Sequence, residues 1–121
     1  MVFVVALLAA SQASAAPPGT PQQLSSDPFT SDGAQHATQV EPDSFSFGQT
    51  VVTAFQSGRF FSGGGASAIG FATSQNSGSA WSSGFLPSLT VANGGTYDRA
   101  TDPAVAYDAK HDVWLLSLIH I

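Results

Sequence analysis

An acidic residue followed by proline opens two stretches of this chain, and the same pattern follows each. Glu41-Pro42 leads into Phe45 and Phe47 at alternate positions, then a short polar turn, then Val51 and Val52; Asp102-Pro103 leads into Val105 and Tyr107, then a turn, then Val113 and Trp114. Apolar residues at every second position line one face of a strand, because successive side chains on extended backbone point to opposite faces. Two such runs joined by a turn form a hairpin, and a hairpin that recurs along a chain marks a repeat architecture. The offset is about sixty residues, longer than the roughly 40–50 of common propeller blades and reachable with long loops.

The residues between the two acid–proline pairs read as further strands. Residues 40–47 and 50–56 are expected to pair across Gly48-Gln49, residues 68–74 form a third strand and residues 79–85 a fourth. After Leu86-Pro87 and the Gly94-Gly95 loop, residues 102–108 and 112–117 begin the pattern again, joined by Ala109-Lys110-His111. Beyond the N-terminus no window keeps a helical apolar period, while Ser, Gly and aromatic residues suit tight turns and pleated faces. The expected fold is all-β: a β-propeller of four-stranded antiparallel blades rather than a sandwich, present as an incomplete fragment of about one and a half blades. Blade one covers 36–92 and the start of blade two covers 98–118.

The first residues have a different character. Met1 to Ala10 is an apolar run, followed by small residues to Ala16 and then Pro17-Pro18, which reads as a signal peptide over 1–16 cleaved after Ala15 or Ala16. The run falls short of the roughly 20 apolar residues that span a bilayer, so no membrane span is expected in the mature chain. No Lys or Arg precedes it, so the true start is expected to lie upstream of Met1. Residues 17–35, rich in Pro, Gln, Ser and Thr, read as a disordered linker. At the other end, Leu116-Ser-Leu-Ile-His-Ile121 equals the translation of a transposon-type sequencing adapter in one frame, which makes 116–121 suspect as native sequence. The expected location is secreted or at the cell surface, by bacterial export.

A net charge of −5 provides no footprint for nucleic acid. The absence of cysteine excludes disulfides and thiolate metal sites. Asp98, Asp102, Asp108 and Asp112 fit no calcium loop, and His36, His111 and His120 have no metal-ligand spacing, so neither metal nor cofactor is expected.

Ser74-Gln-Asn-Ser-Gly-Ser-Ala-Trp81 follows the pattern Ser, Asp or Asn, Gly, aromatic. Asn76 can accept hydrogen bonds from the turn's own amides, Gly78 tolerates a positive φ, and Trp81 supplies a large apolar surface. The alternative is an ordinary Asn-Ser-Gly hairpin turn beside a core Trp. With this motif, and with Ala37–Asp43, Ala54–Arg59 and Asp102–Asp108 beside it, the segment from about His36 to Leu116 resembles the sialidase-like proteins with bacterial neuraminidase repeats, or Asp boxes. Asn replaces the usual Asp, and Ala80 the usual Thr. The resemblance implies that Ser74, Asn76, Gly78 and Trp81 form a structural turn between the outer strands of a blade, remote from any active site.

Turns within a blade alternate between its two ends, so the end opposite the Asp box is expected to gather Arg59, Phe60 and Phe61 with Glu41, Asp43, Tyr97, Asp98, Arg99 and Asp102. Arg captures carboxylates in bidentate fashion, aromatic rings stack on sugars, and Asp can act as a general acid. Arg59, Arg99, Asp102, Asp43 and Tyr97 are therefore the substrate-binding candidates, with surface or loop-bracing roles as the alternative for the arginines. The resemblance implies a secreted glycoside hydrolase acting on sialylated or other glycans as the parent protein, with the fragment itself inactive. The family's Arg-Ile-Pro segment is missing, so no catalytic residue is assigned. The alternative is a non-catalytic propeller that binds carbohydrate or protein at the cell surface. The expected partner in either case is a glycan or glycoconjugate.

Overall fold

The computed structural model describes residues 20–121, so the expected signal peptide over 1–16 and the first linker residues lie outside the described residues. The chain is all-β, with strands β1 (Gln39–Phe47), β2 (Thr50–Arg59), β3 (Ala66–Ser74), β4 (Ser82–Phe85), β5 (Ala100–Asp108) and β6 (Val113–His120), and one 3-10 turn at Val91–Asn93. They form an antiparallel sheet in the order β1-β2-β3-β5-β6, with β4 also paired to β3. Phe47 pairs with Thr50, so Gly48-Gln49 is the two-residue turn that the sequence suggests. The fourth strand starts later than expected, at Ser82, because Ser79 to Trp81 belong to the turn before it.

The link between the β1–β4 unit and the β5–β6 hairpin is narrow: Ala66 and Ala100 are the one backbone pair that joins β3 to β5. β5 lies instead over the start of the sheet, where the Asp43 carboxylate accepts the Val105 N–H at 2.6 Å. On that side Phe47 stacks on Tyr107 at 4.2 Å, and Phe45 meets Trp114 edge-on at 6.2 Å. The alternating phenylalanines of the first repeat thus pack against the aromatic pair of the second.

The core is centred on β2 and β3, where Ala54, Phe55, Ala68, Ile69 and Ala72 are buried. Small residues let bulky neighbours lie flat across the ladder. Phe55 pairs with Gly70, and a Cβ built on Gly70 would stand 2.3 Å from the Phe55 ring. Phe71 pairs with Gly84 in the same way, with a Cβ there 3.1 Å from the ring. An aromatic side chain over a cross-strand glycine covers backbone that would otherwise be bare.

The stretch read as a disordered linker over 17–35 contains no strand or helix among its described residues, yet it is tied to the sheet. Asp27 accepts the N–H groups of Phe29 at 2.9 Å and Thr38 at 3.0 Å, and Phe29 packs edge-on against Phe85 at 4.9 Å. Further on, Gln35 N–H donates to the Arg59 carbonyl and Phe61 N–H to the Gly33 carbonyl.

Candidate functional site

Both acid–proline pairs bend the backbone in the same way. Glu41 has φ 52° and Asp102 φ 50°, left-handed values that are rare outside glycine. The following proline discourages the right-handed helical conformation in the residue before it, and each acid instead takes up a bulge. The β1–β2 register slips between Val40 and Asp43, and the β5–β6 register slips between Thr101 and Ala104. The sequence repeat is therefore also a repeat of conformation.

The two bulges are connected. Gln56 of β2 is fully buried, and its amide nitrogen donates to the Glu41 carboxylate and to Thr101 Oγ1 at 3.2 Å. Thr101 Oγ1 donates in turn to Asp102 Oδ1 at 3.2 Å. A polar chain Glu41–Gln56–Thr101–Asp102 thus runs from one acid to its counterpart in the other repeat. Sequence reasoning missed Gln56, because a lone Gln inside a strand gives no local sign that it will be buried.

The end of the sheet around these bulges collects most of the expected substrate-binding residues. Arg59 pairs with Ala66, Ala66 with Ala100, and Ala100 with His120, so one row crosses four strands. The Tyr97 ring lies 3.8 Å from the His120 ring and is 40% exposed, while Phe61 is 68% exposed. The Ser74–Trp81 turn, the Gly48-Gln49 turn and the turn between β5 and β6 lie at the opposite end.

Several of the candidates hold structure. Arg99 Nη1 donates to the carbonyls of Ser62 at 2.6 Å and Gly64 at 3.0 Å, and its guanidinium carbon sits 4.4 Å over the Phe60 ring. Gly63, Gly64 and Gly65 all have positive φ, which lets the loop curl around that side chain; a Cβ on Gly63 would come within 2.9 Å of Arg99 Nη1. Arg59 Nη1 donates to the Phe60 carbonyl at 3.1 Å. Asp43 is committed to Val105, whereas Asp102 is exposed apart from its contact with Thr101. The local pattern Ser-Gly-Gly-Gly announces a flexible loop but not that its carbonyls converge on an arginine distant in sequence.

The Ser74–Trp81 turn closes through its own side chains. Gly78 N–H donates to Ser74 Oγ at 2.9 Å, while Ser74 Oγ and Ala80 N–H donate to Asn76 Oδ1 at 2.9 and 2.8 Å. Gly78 has φ 86°. Trp81 is half-buried, and its indole N–H donates to the Gly78 carbonyl at 3.0 Å. Ser77 N–H reaches the Gln49 carbonyl of the β1–β2 turn.

Perturbed ionisation occurs in the β5–β6 turn, away from the arginines. A hydrogen bond from His111, helped by the Lys110 and His111 amides, holds the Asp108 carboxyl below its ordinary range against the opposing effect of desolvation. The hydrogen bond to Asp112, with the negative charges of Asp112 and Asp108, pushes the Tyr107 phenol up. Among the described residues no three His, Asp or Glu side chains converge as a metal site, and no helix is long and apolar enough to cross a membrane.

Comparison with protein-family models, with curated proteins and with solved structures finds no match for this chain.

Proposed function

We propose that this chain is part of an exported Asp-box β-propeller of the sialidase-like kind, in a protein that recognises glycans. It contributes one four-stranded blade, β1 to β4, and the two inner strands of the next, β5 and β6. The observation that carries this reading is the recurrence of the bulged acid–proline hairpin, with left-handed φ at Glu41 and at Asp102 and a register slip after each. Repeated strand units that pack side by side are what a propeller is made of. The Asp-box turn closed by Ser74, Asn76 and Gly78 supports the same reading.

Two activities fit such a protein. A glycoside hydrolase needs arginines free to grip the substrate carboxylate and an acid free to protonate the leaving group. Arg99 Nη1 is instead held by two loop carbonyls, and the Asp43 carboxylate is held by Val105. These commitments favour the non-catalytic reading for this chain, in which the arginine end is framework and exposed Phe61 and Tyr97 are contacts for a glycan. Hydrolysis belongs to the parent protein only if residues beyond this chain complete the site.

The test is to express the complete reading frame and the present chain in parallel, and to assay both on a fluorogenic sialoside. The present chain is expected to show no turnover, and the complete frame to contain further Asp-box turns at blade spacing. Turnover by the present chain alone would overturn the non-catalytic reading. A complete frame without further repeats would overturn the propeller.

A further inference from the structure

The Asp-box turn borders a recess of about 300 Å³ lined by Thr73, Gln75, Asn76, Ala80, Trp81 and Ser82. It lies at the end of the sheet away from Arg59 and Arg99, and no charged side chain lines it. We propose that this recess is a binding site for a neutral pyranose, with the Trp81 indole as its platform.

The chemistry of the lining carries the proposal. An indole offers a sugar's C–H face a large apolar surface, and stacking loses least entropy when the ring is already fixed. Trp81 is fixed by the hydrogen bond from its N–H to the Gly78 carbonyl. Asn76 is oriented as well: its Oδ1 accepts from Ser74 and Ala80, and its amide N–H groups have no partner among the described residues. Among the described residues the Gln75 carboxamide and the Thr73 and Ser82 hydroxyls have no side-chain hydrogen-bond partner, so donors and acceptors are both present beside the ring. Polyols require that mixture, since each hydroxyl donates and accepts. The volume is at the low end for small-molecule sites and suits a single sugar ring rather than an extended ligand.

The same lining argues against other ligands. Phosphate or carboxylate would be desolvated without a counter-charge, and a cation would find no carboxylate. In a chain of net charge −5 an anionic sugar gains nothing here over its neutral form. The inference rests on the Asp-box turn alone and is independent of what the arginine end does.

The probe is N-acetyllactosamine, titrated into the isotopically labelled chain while the two indole N–H resonances are followed by NMR. Trp81→Phe assigns its resonance. A saturable shift of the Trp81 resonance, with that of Trp114 unmoved, is expected. Gln75→Ala is expected to weaken binding roughly fivefold, the loss of one hydrogen bond, with the amide spectrum otherwise unchanged. Gln75 is exposed and outside the turn's own hydrogen bonds, so this variant keeps the test informative if Trp81→Phe fails to fold. No saturable shift up to the solubility of the sugar would overturn the proposal. So would equal affinity in Gln75→Ala, tighter binding of the sialylated trisaccharide than of the neutral disaccharide, or the same shift with sorbitol.

Discussion

At the scale of single residues, Gly70 and Asn76 show how little substitution the β1–β4 unit tolerates. The Phe55 ring lies against Gly70 and is itself 7% exposed, so a Cβ placed 2.3 Å from it cannot be accommodated by swinging the ring into solvent. Gly70→Ala is expected to destabilise the fold by roughly 1–3 kcal/mol, the usual range for overpacking a dense core, and a urea melt measures it. Asn76 acts through one oxygen, which accepts from Ser74 and Ala80. Asn76→Asp keeps that acceptor and is expected to melt within about 0.5 kcal/mol of wild type. Asn76→Ala removes the acceptor and is expected to lose roughly 1–2 kcal/mol. Equal losses in the two variants would mean that the side chain's volume, and not its oxygen, holds the turn. These roles differ in how legible they were. The motif Ser-x-Asn-x-Gly announced the Asn76 turn because its hydrogen bonds are local. Gly70 is invisible without the pairing that sets it opposite Phe55, and Gln56 is invisible without knowing that β5 will cover it.

At the scale of elements, the turns decide where strands stop, and the β5–β6 turn carries a measurable pH dependence. Asp108 accepts the Lys110 amide at 2.9 Å and the His111 ring at 2.5 Å. Its carboxyl is held below the ordinary aspartate range, so its contribution is complete above that range and is lost as pH falls through the lowered value. Tyr107 has the opposite sign: its raised phenol donates to Asp112, and that contribution is present at neutral pH and disappears as pH rises through the raised value. Both groups sit in a surface turn, half-buried, so the expected effect is local: below the aspartate range the Lys110 and His111 amides lose their protection from exchange while those of β2 and β3 keep theirs. Amide exchange measured across an acid titration checks this, and Asp108→Ala should remove the pH dependence. Element boundaries were legible wherever a turn residue declares itself, as at Gly48-Gln49. The strand formers of the second strand run only to Gln56, yet pairing with Ala66 and Ala68 carries β2 on to Arg59. The fourth strand, expected over residues 79–85, starts at Ser82 because hydrogen bonds of Ala80 and Trp81 to Asn76 and Gly78 hold these residues in the turn.

At the scale of the whole molecule, the question is what makes two hairpin-based units behave as one fold. Backbone pairing contributes almost nothing, since Ala66 and Ala100 alone join β3 to β5. The union rests on side chains: the aromatic contacts of Phe45 and Phe47 with Trp114 and Tyr107, the chain through Gln56, and the Asp43 carboxylate on the Val105 amide. Among these Asp43 is the most directional, because a carboxylate accepting a partly buried N–H is stronger than a neutral pair and its removal leaves that N–H without an acceptor. Asp43→Ala is expected to weaken the fold by roughly 1–3 kcal/mol, and unevenly. Amides of β5 and β6 should exchange faster while those in the centre of β2 and β3 hold, because the β1–β4 unit keeps its own ladder and core. Asp43→Asn keeps an oxygen acceptor and should restore most of that protection, which separates loss of the hydrogen bond from loss of charge. If Asp43→Ala instead speeds exchange equally in every strand, the two units unfold as one, and the aromatic contacts rather than Asp43 join them. If exchange changes nowhere, the carboxylate is not part of what joins the repeats, and the polar chain through Gln56 becomes the next group to remove.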